Sequence, residues 1–541
     1  MARDMTQLPD LNLGSGRVAP VRSRMPVYLD LLPPCNNACP AGENIQEWLR
    51  LVKAGEDEAA FRELTKNNPF PAIHGRVCYH PCETACNRIE LDGAVVIHSV
   101  ERYLGDLALR EGWAFKKTAP PSGKRVLVVG AGPSGLSAAY HLSMLGHEVE
   151  IRDSSAKVGG MMRYGIPEYR LPREILDAEA QRVLDLGVHL VLDYTVKDLQ
   201  AEMSEGGFDA CFVAIGAHLS RRVDIPNMDA SKMIDAVTFL RQVASGERPD
   251  IGDKVAIYGG GNTAMDAARV ARRLGADESV IIYRRTKAQM PAHAEELEGA
   301  EREGVTMNWL RTISSVDGGG DLTVEIQELD EKGRPHGTGK FEKLEADTVI
   351  LALGQETDSS FLRRIPGMRF DHDVVHVDPR TLMTDVPGIF AGGDAVPSDR
   401  TVTIGVGHGK RAARNMDAWL ANRELPTRAK HDLASFDKLN VWYFGDSRRQ
   451  TQPELEPADR VTDFDEIVGG LEVDQAHVEA ARCLSCGNCF ECDGCFGSCP
   501  EDAVIKLGKG LRYRYDYDKC TGCATCYEQC PVHAIEMVEE S

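Results

Sequence analysis

The chain has 541 residues, enough for three or four ordinary domains. With 62 basic against 83 acidic side chains its formal charge is −21, which argues against nucleic acid or an anionic membrane as partner. No apolar run is as long as a membrane helix and the start lacks the apolar core of a secretion signal, so the sixteen cysteines imply a reducing cytoplasm and metal–sulfur chemistry rather than disulfides.

Residues 1–30 read as a mostly irregular arm. Ile45, Trp48, Leu49 and Val52 then repeat at helical spacing, followed by Phe61 and Leu64, in a stretch carrying five cysteines from Cys35 to Cys86. The turn residues from Thr118 to Gly123 form a linker. Beyond it strands and helices alternate to about residue 420, the pattern of a parallel-sheet α/β body.

Strand Arg125–Val129 runs into Gly130-x-Gly132-x-x-Gly135, with Pro133 and Ser134 between the glycines. A helix follows, and the next strand ends at Asp153. This is the whole context of a dinucleotide fingerprint: the glycines let backbone approach a pyrophosphate at a helix N-terminus, and the acid takes a ribose hydroxyl. A second copy follows strand Val255–Tyr258 as Gly259-x-Gly261-x-x-Ala264, with Asn262 and Thr263 at the turn. Its next strand ends in Arg284 and Arg285, where arginine can pair with a 2′-phosphate and so favours NADPH over NADH. A solvated basic turn is the plainer alternative.

Asp209–Gly216 and Asp347–Gly354 are apolar strands ending in glycine, suited to points where the chain crosses between two nucleotide domains. Thr384–Asp394 joins a strand, a glycine pair (Gly392, Gly393) and an acid, and a helix fits Lys410–Leu420. Residues 426–482 are polar and acidic and read as a linker.

The C-terminus carries Cys489-x2-Cys492-x2-Cys495-x3-Cys499-Pro500 and then Cys520-x2-Cys523-x2-Cys526-x3-Cys530-Pro531. In two-cluster ferredoxins the cysteine before proline crosses to the other cluster. One four-iron cluster is thus expected on Cys489, Cys492, Cys495 and Cys530, and another on Cys520, Cys523, Cys526 and Cys499. Structural zinc also takes Cys-x2-Cys, but without the proline signature.

Together these residues, over about 31–425, resemble the small subunit of bacterial glutamate synthase and its relatives, including the flavin half of dihydropyrimidine dehydrogenase. The resemblance implies FAD on the first fingerprint and NADP(H) or NAD(H) on the second. It adds Gly159, Gly160, Met161 and Arg163 to the FAD site, and Gly393 and Asp394 at the cofactor's sugar-phosphate chain. It also implies a cluster on Cys39, Cys78, Cys82 and Glu101, although an exposed helix glutamate is the commoner reading of the last. The family's opening Cys-x2-Cys is missing before Cys35, and a similar lead-in ends instead at Cys483 and Cys486. Cys35, Cys86, Cys483 and Cys486 are left over, and we expect them to join in one further cluster, with zinc or no ligand as the alternatives. Four clusters would then consume every cysteine but Cys211, which an apolar strand makes a buried, inert thiol.

The expectation is a multidomain α/β protein. A helical iron–sulfur domain with its arm spans 1–118, an FAD domain 119–225 and 346–425, an inserted NAD(P)H domain 226–345, a linker 426–482 and a ferredoxin-like α+β domain 483–541. Hydride exchange between nicotinamide and flavin needs no catalytic acid or base from the protein. His408 therefore reads as a loop histidine without a role, and a helix N-terminus near Gly409 and Lys410 is expected to face the flavin ring. The expected role is an electron-transfer subunit feeding, or fed by, a catalytic partner subunit or a ferredoxin, without membrane insertion. The C-terminal segment resembles the ferredoxin subunit of 2-oxoacid:ferredoxin oxidoreductases. An NAD(P)+-reducing subunit of a 2-oxoacid or aldehyde oxidoreductase, and a non-catalytic iron–sulfur scaffold, are the alternatives.

Overall fold

The computed structural model describes residues 22–221, 223, 225–226, 232–317, 321–424 and 431–540. The chain forms two compact units, one from residues 35–429 and 448–483, the other from 1–34, 430–447 and 484–541.

In the larger unit, helices Ile45–Lys53, Asp57–Thr65, Pro71–Val77 and Ile97–Arg110 bury Trp48, Leu49, Leu64 and Leu104 against one another. Two of them touch backbone to backbone: a Cβ on Gly105 would lie 2.2 Å from the Ala72 nitrogen. The expected linker is partly built into this core. Its helix Val473–Ala481 starts on a reciprocal cap between Glu472 and Gln475 and buries Ala476 and Ala480 in the same cluster. An acidic surface had hidden a small-residue stripe that only the packing partner reveals.

Two parallel five-stranded sheets follow. The first runs Ile389–Ala391, Ala210–Val213, Arg125–Val129, Glu148–Arg152, His189–Val191. The second runs Thr306–Trp309, Glu278–Tyr283, Lys254–Tyr258, Thr348–Leu351, Lys232–Asp235. Strand Thr348–Leu351 therefore belongs to the second sheet, beyond the expected boundary at 345/346, because its apolar run pairs with the fingerprint strand Lys254–Tyr258. Just past the two expected crossing segments, Leu219–Ser220 pairs antiparallel with Gln355–Glu356. A three-stranded antiparallel meander, Arg311–Val316, Leu322–Leu329 and Pro335–Leu344, is appended to the second sheet's part of the chain.

In the smaller unit, Arg24–Tyr28 is not irregular. It is a strand paired antiparallel with Ile535–Glu539, and the Tyr28 ring stacks on Tyr515 at 5.2 Å. Strands Val504–Lys506 and Tyr513–Tyr515 form a second pair. Residues 431–447 are part of this unit, with Asn440 Nδ2 donating to the carbonyls of Glu528 (2.9 Å) and Cys530 (2.8 Å). Among the described residues no helix is long and apolar enough to cross a membrane.

Candidate functional site

The first fingerprint closes as its glycines require. Gly130 has φ +110°, and a Cβ there would sit 2.3 Å from the Ala214 oxygen. On Gly135 it would lie 1.8 Å from the Gly130 oxygen, so helix Pro133–Met144 can meet its strand only without a side chain. Gly132 differs: a Cβ there meets only Gly160 Cα, at 3.8 Å. That leaves open space at the helix N-terminus, where the buried Ser134 hydroxyl has no partner. Such a cradle fits a pyrophosphate. Asp153 is spent partly on the loop itself, accepting from the nitrogens of Ala131 and Ser155, both at 2.7 Å.

Gly130, Gly132, Pro133, Ser134, Asp153, Gly160, Met161, Gly393 and Asp394 all line this cavity of about 290 Å³. Gly135 and Gly159 are not in its lining; Gly159 supports the fingerprint loop by donating to the Ala131 carbonyl at 2.9 Å. Arg163 is turned away from it. The guanidinium donates to the Val158 carbonyl at 2.6 Å and pairs with Asp177, so it holds the turn before Gly159 rather than a ligand. The sequence reading had missed Arg241, which also lines the cavity, donates to Ser155 Oγ at 3.0 Å and stacks over the Tyr164 ring at 4.5 Å.

His408 is neither in a loop nor idle. It lies inside helix Val402–Leu420, and its Nδ1 accepts from the Gly393 nitrogen at 3.1 Å. Burial pushes the imidazole down to about 4, with Arg411 adding to the effect, so the ring is a neutral acceptor. The helix starts at Thr401, whose hydroxyl accepts from the Ile404 nitrogen at 3.2 Å. Gly409 and Lys410 are mid-helix, so no helix N-terminus at that point faces the cavity. Burial raises the Asp394 carboxyl to about 6, with Arg400 opposing.

The second fingerprint builds a cavity of about 550 Å³ lined by Gly259, Gly261, Thr263, Arg284 and Arg285. A Cβ on Gly261 would meet nothing within 4 Å, whereas one on Gly259 would strike the Ala352 oxygen at 2.2 Å. Asn262 holds the loop by accepting from the His293 nitrogen at 2.9 Å, and Ala264 is fully buried. Arg284 is exposed. Arg285 is half-buried, with an Nε that is buried and has no partner. An unpaired buried guanidinium nitrogen beside an open glycine turn fits a phosphate-bearing nucleotide.

All sixteen cysteines are free thiols. Cys39, Cys78 and Cys82 converge with Glu101. Each thiol is pushed up first by burial, and each also feels the Glu101 carboxylate. Glu101 is only 6% exposed, not a surface glutamate. Asn68 Nδ2 donates to it at 2.7 Å and lies 3.0 Å from Glu43 and 2.8 Å from His74 Nδ1. Burial, then the facing Glu43, hold the Glu101 carboxyl well above its ordinary range. Cys35, Cys86 and Cys483 border one apolar cluster, that of Trp48 and Ala480. Arg482, beside Cys483, is fully buried and pairs with Asp92 at 2.9 Å, Glu479 at 2.6 Å and the Gly93 carbonyl at 2.7 Å. It thus pins the chain to the loop that follows Cys86.

In the smaller unit thiols from the two motifs act on one another. Burial raises Cys495, the Tyr28 hydroxyl opposes this, and Cys489, Cys492 and Cys530 then add to the rise. Cys526 is raised by burial and by Cys520, Cys523 and Cys499. Each pre-proline cysteine thus lies with the other motif. Cys211 is fully buried in its strand, as expected.

Residues 120–415 match the pyridine nucleotide-disulphide oxidoreductase family. Residues 31–113 match the dihydropyrimidine dehydrogenase domain II, 4Fe-4S cluster family, and 513–536 the 4Fe-4S binding domain. The chain is 36% identical over 501 residues to the NADP(+)-dependent formate dehydrogenase subunit beta of Moorella thermoacetica, covering 84% of this chain and 70% of that one. It is 33% identical over 503 residues to the NADPH-Fe(3+) oxidoreductase subunit beta of Geobacter sulfurreducens, covering 84% and 75%. With the glutamate synthase [NADPH] small chain of Azospirillum brasilense it shares 32% over 430 residues, covering 73% and 88%.

Proposed function

Because the chain belongs to the pyridine nucleotide-disulphide oxidoreductase family, we propose that it is the electron-transfer subunit of a larger oxidoreductase. Its partners would be a catalytic subunit acting on the substrate and, as electron carrier, a ferredoxin. Relatives that are beta and small subunits support a partner subunit. The setting would be the cytoplasm, where cysteines grouped at metal-ligand spacing stay available to clusters. The observation that carries the reading is that a single compact unit holds the flavin cradle, the nucleotide cavity and the Cys39–Cys78–Cys82 pocket.

The chemistry supplied by the bound groups is hydride exchange between nicotinamide and FAD and one-electron exchange with 4Fe-4S clusters. The chain's own residues bind and orient. Gly132 and Ser134 would take the FAD pyrophosphate, His408 holds the Gly393 turn, and Arg285 would select the 2′-phosphate. Cys39, Cys78, Cys82 and Glu101 would hold one cluster, and Cys35, Cys86 and Cys483 would serve another. Each four-cysteine set at the C-terminus would hold one more. Within residues 120–415 Cys211 is the sole cysteine, so no dithiol relay operates in the flavin body despite the family's name.

Anaerobic titration of the purified chain with NADPH, and with NADH beside it, tests the reading by visible spectroscopy. NADPH is expected to bleach flavin and cluster absorbance together. Bound FAD that neither nucleotide bleaches would count against it.

A further inference from the structure

A second grouping of ligand atoms, without sulfur, lies beside the thiol pocket. His80, Glu83 and His98 each bring a ring nitrogen or carboxylate oxygen to within 4.8 Å of the others. His80 stands between Cys78 and Cys82, Glu83 follows Cys82, and His98 is in the first turn of helix Ile97–Arg110. Glu83 is 4% exposed. Its Oε1 accepts from the His98 backbone nitrogen at 3.0 Å and lies 2.6 Å from His98 Nδ1, and its Oε2 lies 3.8 Å from His80 Nδ1. The outer nitrogen of each ring faces other oxygens. His80 Nε2 is 3.4 Å from Glu295 Oε2, and His98 Nε2 is 3.1 Å from Gln452 Oε1 and 3.2 Å from Ser99 Oγ. Gln452 Nε2 donates to the Gly469 carbonyl at 2.8 Å, so the amide shows its oxygen to His98. His80, His98, Glu295 and Gln452 all line a cavity of about 360 Å³.

We propose that His80 Nδ1, His98 Nδ1 and the Glu83 carboxylate bind one divalent transition ion of the zinc type, with a water from the cavity as fourth ligand. Imidazole and carboxylate are ligands such ions favour, and three protein ligands with one open position is a recurring set. An outer ring nitrogen held by an oxygen acceptor fixes the tautomer that leaves the inner lone pair for the metal. Bonds of about 2.0–2.1 Å place the ligand atoms of a tetrahedron about 3.3 Å apart. The nitrogen–oxygen separations of 2.6 and 3.8 Å fall on either side of that edge. The two rings stack with centroids 4.3 Å apart, and they splay to bring one ion into both ring planes. Arg449, 3.3 Å from Glu83 Oε2, has a half-exposed side chain and gives way to the ion. The bound ion ties the turn bearing Cys78 and Cys82 to the helix bearing Glu101, whatever those cysteines hold.

The test is equilibrium dialysis of the full chain, purified anaerobically, against zinc chloride, with zinc, iron and FAD measured per chain. One zinc per chain should bind while iron and FAD stay as they were. His98→Ala should lose that zinc at unchanged iron and FAD. Gln452→Leu, which leaves all three ligands in place and removes only an outer acceptor, should weaken zinc binding about tenfold or more. No bound zinc in the parent, zinc that enters only as iron is lost, or a variant that binds zinc as tightly as the parent overturns the proposal. Zinc entering as iron leaves would place the metal on the cysteines instead. Should His98→Ala lose iron or FAD, Gln452→Leu alone decides.

Discussion

A neutral imidazole and an unpaired guanidinium decide most of what single residues contribute here. His408 is held down to about 4 by burial, then by Arg411, while an unfolded histidine titrates near ~6.5. The unfolded chain therefore takes up the proton first as pH falls. The stability tied to the neutral ring is complete above about pH 6.5 and is lost progressively towards pH 4, a range worth up to roughly 3 kcal/mol. Asp394 on the same turn runs the other way: burial raises it to about 6, so its contribution fades as pH rises through that value. A His408→Asn variant should lose less melting temperature than the parent between about pH 6.5 and 4.5, and parallel melting curves for the two would refute this account. Arg285 carries a selectivity prediction. With its Nε buried and unpaired beside the nucleotide cavity, Arg285→Ala should lower kcat/KM for NADPH about tenfold or more. The value for NADH should stay within about twofold. The two arginines were legible in sequence; which one turns a nitrogen inward was not.

At the scale of elements, helix Val402–Leu420 shows where sequence patterning misleads. Its first eight residues include three glycines, and glycine is a poor helix former, so propensity places the start at Lys410. Packing explains the glycines instead. A Cβ on Gly409 would lie 2.4 Å from the Ser134 oxygen and 2.7 Å from the Ala138 nitrogen, and one on Gly407 would strike Pro40. The helix is squeezed between the fingerprint helix and the Cys39 loop, where only backbone fits. Gly409→Ala should therefore cost about 1–3 kcal/mol of stability and reduce bound FAD per chain. A variant that purifies with full FAD and an unchanged melting temperature would show that the two helices can part freely. Helix Val473–Ala481 teaches the converse: Glu472, Val473 and Asp474 at its start are exposed, while Ala476 and Ala480 complete a core built mostly from the helices of residues 45–110.

At the scale of the molecule, the smaller unit is closed by a strand from the opposite end of the chain. Arg24–Tyr28 supplies the partner for Ile535–Glu539, and Tyr28 packs on the thiol-bearing core beside Tyr515. A chain starting at residue 31 would expose that edge and half the aromatic stack. It should lose about eight iron atoms, those of two four-iron clusters, and retain its FAD. Iron analysis alongside flavin absorbance reads this directly, and full iron in the truncated chain would mean that the strand is dispensable.

The sequence by itself determined the local chemistry: two glycine fingerprints, the acid or arginines that follow them, and the crossed cysteine motifs. Each depends on residues a few positions apart, where the absence of a Cβ or the reach of one loop is fixed by covalent geometry. Only the tertiary structure decided that Thr348–Leu351 pairs in the nucleotide sheet, that Arg163 braces a turn, that His408 accepts from Gly393, and that Glu101 is buried beside three thiols. Those outcomes depend on which distant surface excludes water from a side chain, and a one-dimensional pattern carries no record of that surface.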